Sequence, residues 1–185
     1  MRWPAEPFWD YSLQLYRQPG VEAACLELQR RHGLDVNLVL LACWLGSQGI
    51  ALDPATLAKA ERAAEPWRRE VVGPLRALRR HLKVALADPE PGSVAEGWPE
   101  LVGEVRARVL ALELDAEHLT QLCLARVAGD LPAGAVPGGS LAGANLGVCW
   151  RFEPRDRAAL TTLLSAAFPG SSPAELQASL GWLGH

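Results

Sequence analysis

The chain lacks most of the features that would announce a chemistry. Its four cysteines, Cys25, Cys43, Cys123 and Cys149, include no CxxC and no paired spacing among 185 residues. Neither a zinc ribbon nor a disulfide scaffold is therefore indicated. Each cysteine sits among apolar neighbours, where a free thiol acts as a small hydrophobe. There is no GxSxG, no HExxH and no glycine-rich loop ending in Gly-Lys-Ser/Thr, so the local signatures of serine hydrolases, zinc proteases and P-loop phosphate binders are missing. No apolar run approaches the ~20 residues needed to cross a bilayer. A formal net charge of −3 is too small for a whole-molecule field that would gather nucleic acid or anionic lipid. The opening, "MRWPAEPFWD", lacks a charged region followed by an apolar one, and with the unpaired thiols this leads us to expect a cytoplasmic protein.

What is present is helical. Apolar positions recur at helical spacing through most of the first 128 residues, and nowhere alternate with the period of a strand. The spacing predicts helices over about Pro7–Tyr16 and, with Pro19 at its opening, over a segment ending at Gly33. Asp35 is placed to cap the next helix, whose core "VNLVLLACWL" carries one polar side chain, Asn37. A helix that is apolar nearly all round is one surrounded by others, so this segment is expected to be the central buried helix. Asp53-Pro54 starts another. A further helix runs from about Pro66 to Ala87 and should be kinked or split at Gly73-Pro74. Trp98 to about Ala128 reads as one long helix or two. The stretch 131–149, "LPAGAVPGGSLAGANLGVC", is poor in anything but glycine, alanine, proline and small apolar residues, and is expected to be a linker or loop. Residues 150–185 then read as a helical hairpin with a capping box at Ser172–Glu175.

Charge is laid out in two opposed stripes. In "PWRREVVGPLRALRRHLKVAL" the cations Arg68, Arg69, Arg76, Arg79, Arg80 and Lys83 stand against one acid, Glu70. At ~100° per residue all six fall within about a third of the helix circumference. Clustered arginines suit planar, bidentate recognition of phosphates or of an acidic partner. An intramolecular answer is also at hand and is the one the sequence favours. Residues 100–117 carry Glu100, Glu104, Glu113, Asp115 and Glu117, and charged helix faces are usually solvated or locally paired. The expected pairing sets Arg76, Arg79 or Arg80 against Glu113 or Glu117 between two helices. Glu113, Glu117 and His118 do not make a metal site, because a di-iron bundle needs Glu-x-x-His from two helices and further glutamates. No metal, no cofactor and no catalytic residue is assigned. The aromatics Phe8, Trp9, Tyr11, Tyr16, Trp44 and Trp67 fall at core spacings, with packing as their expected role.

Several motifs occur together: "FWDYSLQLYRQPGV", "GLDVNLVL", "PWRREVVGPLRALRR" and "ELDAE", spread over about residues 8 to 117. In these the chain resembles an uncharacterised family of small, cytoplasmic, all-helical bacterial proteins, a domain of unknown function. The resemblance implies a helical domain without an assigned activity. The architecture expected is therefore all-α. It comprises a helical bundle of about six to seven helices over 1–130, a linker at 131–149 and a C-terminal helical hairpin at 150–185. The function expected is that of a non-enzymatic cytoplasmic adaptor with a protein partner, oligomeric or not. The alternatives are an RNA- or nucleotide-binding module using the stripe at 68–83, and an enzyme with a pocket among the aromatics, since a scattered triad leaves no local trace.

Overall fold

The computed structural model describes residues 3–129 and 131–183, and the chain is all-α. Helices α1 (Pro7–Tyr16), α2 (Val21–His32), α3 (Val36–Ser47) and α4 (Pro54–Trp67) come first. A π-helical turn over Arg68–Val72 joins α4 to α5 (Gly73–Ala87). Then come α6 (Val94–Gly97), the long α7 (Pro99–Ala128) and α8 (Gly139–Cys149). A 3-10 turn over Pro154–Asp156 leads into α9 (Arg157–Ala167), and α10 (Pro173–Ser179) is last. The chain divides into two compact units. Unit 1 contains residues 1–61 and 122–185, and unit 2 contains residues 62–121, so both boundaries fall inside helices, α4 and α7.

Local chemistry explains most helix ends. Glu6 accepts a hydrogen bond from the Phe8 N–H and opens α1. Gly20 and Gly33, at φ 82° and 66°, bracket α2 in a conformation that side chains with a Cβ resist. The helix thus starts after Pro19 rather than at it. The Asp35 carboxylate accepts from the Asn37 N–H and caps α3. The expected break at Gly73-Pro74 takes a particular form. Pro74 cannot donate and its ring crowds the carbonyl one turn back, so the preceding turn widens and the Gly73 N–H reaches the Arg68 carbonyl five residues away. The helix absorbs the proline as a π-turn and continues.

In unit 1, α3 is the buried centre. Leu38 to Cys43, Leu45 and Gly46 are all buried, as is Asn37. Each large aliphatic side chain removed from water in this way stabilises the fold by about 1.5–3 kcal/mol. Its most extensive neighbour is α8, and α1 and α2 also pack on it. The expectation of a linker through residue 149 is corrected here: the loop ends at Gly138, and Gly139–Cys149 form α8, with six of its eleven residues buried. The glycine and alanine content is what lets α8 pass close to two neighbours. A Cβ on Gly46 would lie 2.6 Å from the Cα and Cβ of Ala142, and one on Gly143 would lie 2.6 Å from the Ser179 carbonyl oxygen. Gly139, Gly143 and Gly147, at intervals of four, meet Leu176, Ser179 and the Trp182 ring respectively. The remaining loop is also tied down, since the amides of Gly134 and Ala135 donate to the Gly49 carbonyl and that of Gly138 to the Gly46 carbonyl. Below this, α9 packs on α2 and closes the unit.

Unit 2 is built differently. The fifteen residues of α5 include none that is buried, and α7 within the unit buries Val109, Glu113, Ala116, His118, Thr120 and Gln121. Trp67 donates its indole N–H to the Ala116 carbonyl at 3.0 Å, which fixes the base of the helix pair.

Candidate functional site

The residues singled out by sequence come together on α5 and α7, but not as an open cationic surface. Arg76 reaches two carboxylates: its Nε donates to Glu113 at 3.3 Å, and its terminal nitrogen pairs with Glu117. Arg79 donates to both oxygens of Glu113, one of them at 3.1 Å. The helical spacing of three between Arg76 and Arg79 puts both guanidinia on the face turned to α7. Glu113, 6 % exposed, receives both. Burial on its own would raise its pKa. The hydrogen bonds and charges of Arg79 and then Arg76 outweigh that cost, and its carboxyl is held below the usual carboxylate range. Arg79 is correspondingly raised, chiefly by its bond to Glu113.

The other stripe residues do not join this cluster. Arg68 pairs with Glu65 one turn back on α4, and Arg69 with its exposed neighbour Glu70. Arg80 is exposed and its Nε donates to the Arg76 carbonyl at 3.4 Å. Lys83 is exposed. The two most inward arginines are thus neutralised within the chain, while Arg69, Arg80 and Lys83 remain on the surface.

Beside the far end of the same helix pair lies a groove of about 400 Å³. It is lined by Leu82, Val84 and Ala85 of α5, Val94 and Ala95 of α6, and Val102 of α7, with Asp88 and Glu90 on the intervening loop. Val84 is 66 % exposed and Val94 65 %. The groove forms because Ser93 caps the one-turn α6 and Glu96 reaches back to the Gly92 N–H, so the connection folds tightly at that end without covering the ends of α5 and α7.

Unit 1 contains a second polar cluster that sequence reasoning did not find. Asp156, fully buried, accepts from Arg31 at 2.9 Å, from the Glu153 N–H at 2.8 Å, and pairs with the His32 Nε2 at 2.8 Å. Burial would raise its pKa, but the Glu153 amide, Arg31 and His32 together hold it below its ordinary value. The His32 ring is edged by Phe152 at 5.8 Å and Trp150 at 6.2 Å. A hollow of about 620 Å³ opens beside these aromatics, lined by residues 147–152 and Trp182. Its one thiol, Cys149, is pushed up to about 12 by burial, which leaves no thiolate for nucleophilic chemistry near neutral pH. Arg31 and His32 are the last two residues of α2, and the Arg31 guanidinium there meets the negative end of the helix dipole. The carboxylate therefore ties that end to the turn before α9. The sequence signal was present as the short "EPRD" run, in which the Asp156 side chain caps the Glu153 amide.

Of the aromatics expected to pack, Phe8 is fully buried and stacks on Trp44 at 5.2 Å between centroids, Trp9, Tyr11, Tyr16 and Trp44 are half-buried, and Trp67, contrary to expectation, is 38 % exposed. Among the described residues no group of His, Cys, Asp and Glu is arranged to hold a metal ion, and no helix is long and apolar enough to cross a membrane. A model of the family described as "Protein of unknown function (DUF2390)" matches residues 7–124. No curated protein and no solved structure matches the chain.

Proposed function

The chain belongs to that family of unknown function, and we propose that it is a non-enzymatic cytoplasmic adaptor whose contact surface is unit 2. One observation carries the reading. Among the described residues thirteen large apolar side chains stand exposed, and eleven of them fall within residues 62–121: Trp67, Leu78, Val84, Val94, Trp98, Leu101, Val105, Leu110, Leu112, Leu114 and Leu119. Single exposed apolar residues are ordinary, but such a concentration on one small unit is the mark of a protein contact. The four free cysteines, three of them buried, support a reducing compartment.

The groove at the end of α5 and α7 supplies the chemistry of the partner. Aliphatic walls with Asp88 and Glu90 at the loop suit a protein segment that presents an apolar side chain next to lysine or arginine. The nucleic-acid alternative retains Arg69, Arg80 and Lys83, because Arg76 and Arg79 are already paired to carboxylates. A nuclease-treated capture from native lysate separates the two. The expected outcome is a discrete protein that survives nuclease, is lost with the double substitution Val84→Glu and Val94→Glu, and is retained when Arg69, Arg80 and Lys83 are each changed to Glu. Capture that vanishes with nuclease and with the second set, but not the first, would replace this reading with the nucleic-acid one.

A further inference from the structure

Four of the six exposed large apolar residues of α7, Leu101, Val105, Leu112 and Leu119, share one face of the helix with Trp98 just before it, while Leu110 and Leu114 lie on the opposite face. Taking Leu112 as origin and ~100° per residue, Trp98, Leu101, Val105, Arg108, Leu112, Asp115 and Leu119 lie within about 100° of arc. The order of types along this strip is apolar, apolar, basic, apolar, acidic, apolar, starting from Leu101. The five apolar members are 41–59 % exposed, from Leu119 to Trp98. Within its own chain Arg108 reaches only as near as 3.7 Å to Glu104, with 78 % and 63 % of the two side chains exposed.

This strip is self-complementary about Leu112. Val105 and Leu119 lie seven residues to either side of it, Arg108 four residues before it and Asp115 three residues after it. An identical helix laid antiparallel with the two Leu112 side chains in register places Val105 against Leu119 of the second copy. It also brings Arg108 within about one residue's rise, 1.5 Å, of the level of the second copy's Asp115. The two-fold axis repeats each of these contacts, so two ion pairs alternate with three apolar layers. A parallel arrangement fails on charge: it would set Arg108 on Arg108 and Asp115 on Asp115, and like charges face to face are costly.

We propose that α7 is a homodimerisation surface: a second copy of this chain docks antiparallel on the Val105–Arg108–Leu112–Asp115–Leu119 strip. The proposal rests on the reading of unit 2 as a contact surface and names the partner for this strip of it. It leaves the groove, which shares no residue with the strip, for another protein. A contact one helix wide is at the small end of specific interfaces, below about 1,200 Å² in total, so the dimer is a weak one that forms with rising concentration. The isologous geometry closes at two copies and does not propagate into a filament.

The test is sedimentation velocity of the full chain from about 5 to 200 µM, with circular dichroism as the check on folding. Wild type is expected to pass from monomer to dimer across this range. Arg108→Asp alone and Asp115→Arg alone are each expected to weaken the dimer by tenfold or more, and the double charge swap to restore it. Leu112→Glu, at a position 55 % exposed, is expected to abolish it without changing the helical signal. A chain that stays monomeric to 200 µM, or a double swap no better than the single variants, overturns the proposal. If that happens while the Val84/Val94 variant still loses a captured protein, the adaptor reading stands and only the self-docking falls. Loss of both would retire unit 2 as a contact surface altogether.

Discussion

Replacing Gly46 by alanine should destabilise unit 1, although alanine is the better helix former. The substitution lies near the end of α3. There the gain in helical propensity is about 0.5–1 kcal/mol. Against it stands the approach of α8. The added Cβ would sit 2.6 Å from both the Cα and the Cβ of Ala142 and 2.7 Å from its backbone nitrogen. Carbon atoms in contact rest at about 3.5–4.0 Å, so one helix must move away from the other by about 1 Å. The obstacle is backbone and cannot rotate aside. A gap of that size forfeits a quarter to a half of the dispersion energy of each contact across it, along the most extensive helix pairing of the unit. Overpacking of this kind costs about 1–3 kcal/mol, occasionally more, so the net loss after the propensity gain should be up to about 2.5 kcal/mol. Gly103 is the control, since a Cβ there meets nothing within 4 Å and the residue is inside α7. Gly103→Ala should stabilise by about 0.5–1 kcal/mol. Urea unfolding by circular dichroism, with hydrogen exchange of the α3 amides to isolate unit 1, reads both. A Gly46→Ala protein as stable as wild type, with unchanged protection in α3, would refute the close-approach argument for the small residues of this helix pair.

Three further outcomes are expected. Asn145, 1 % exposed, accepts from the Leu52 N–H at 2.8 Å and donates to the Ile50 carbonyl at 3.0 Å and the Ala42 carbonyl at 3.3 Å. Asn145→Leu strands the buried Leu52 amide and loses the Ile50 bond, at about 1–3 kcal/mol for each group so stranded. A fall of less than 1 kcal/mol in urea unfolding would mean that those groups find other partners. Glu113 has its pKa depressed in the folded state from an ordinary 4.5. Its contribution to stability is therefore full above pH of about 4.5 and is lost as pH falls through the lower folded value. Glu113→Gln should be less stable than wild type at pH 7 and show a shallower loss between pH 5 and 3. Parallel urea midpoints at the two ends would contradict this. The thiols of Cys25 and Cys149 are pushed up to about 12 by burial, and Cys43 well above its ordinary value. Iodoacetamide at pH 8 should leave all three unmodified in the native chain and modify them in urea, as read by mass spectrometry. Rapid native labelling of any of the three would show that its site opens.

Helix positions were legible because their causes are local. Asp35, Asp53 and Ser172 announce helix starts by accepting from amides two or three residues on, and Gly33 announces an end through a φ of 66°. The centrality of α3 followed from a helix with no polar face. The pairing of Arg76 and Arg79 with Glu113 and Glu117 could be anticipated from the opposite signs of two helical stripes, but not which carboxylate would be the buried one. Asp156 was missed because its partners, Arg31 and His32, are more than a hundred residues away. The sequence "GGSLAGANLG" reads as a loop because glycine is a poor helix former. Its signal lay in the interval of four between Gly139, Gly143 and Gly147, which places three side-chain-free positions on one side of a helix.

By itself, then, the amino-acid order determined the class of fold, most helix boundaries and the identity of the central helix, since capping, proline geometry and apolar period act within a few residues. Tertiary structure decided whether a glycine-rich segment is floppy or a helix, because only α3 and α10 lying close enough to exclude a Cβ turn the lack of side chains from a cost into a fit. It also decided which cations are spent. A guanidinium is a binding group or a structural tie according to whether a carboxylate stands within about 3 Å of it, and that distance is set by the packing of α5 on α7, not by their order in the chain.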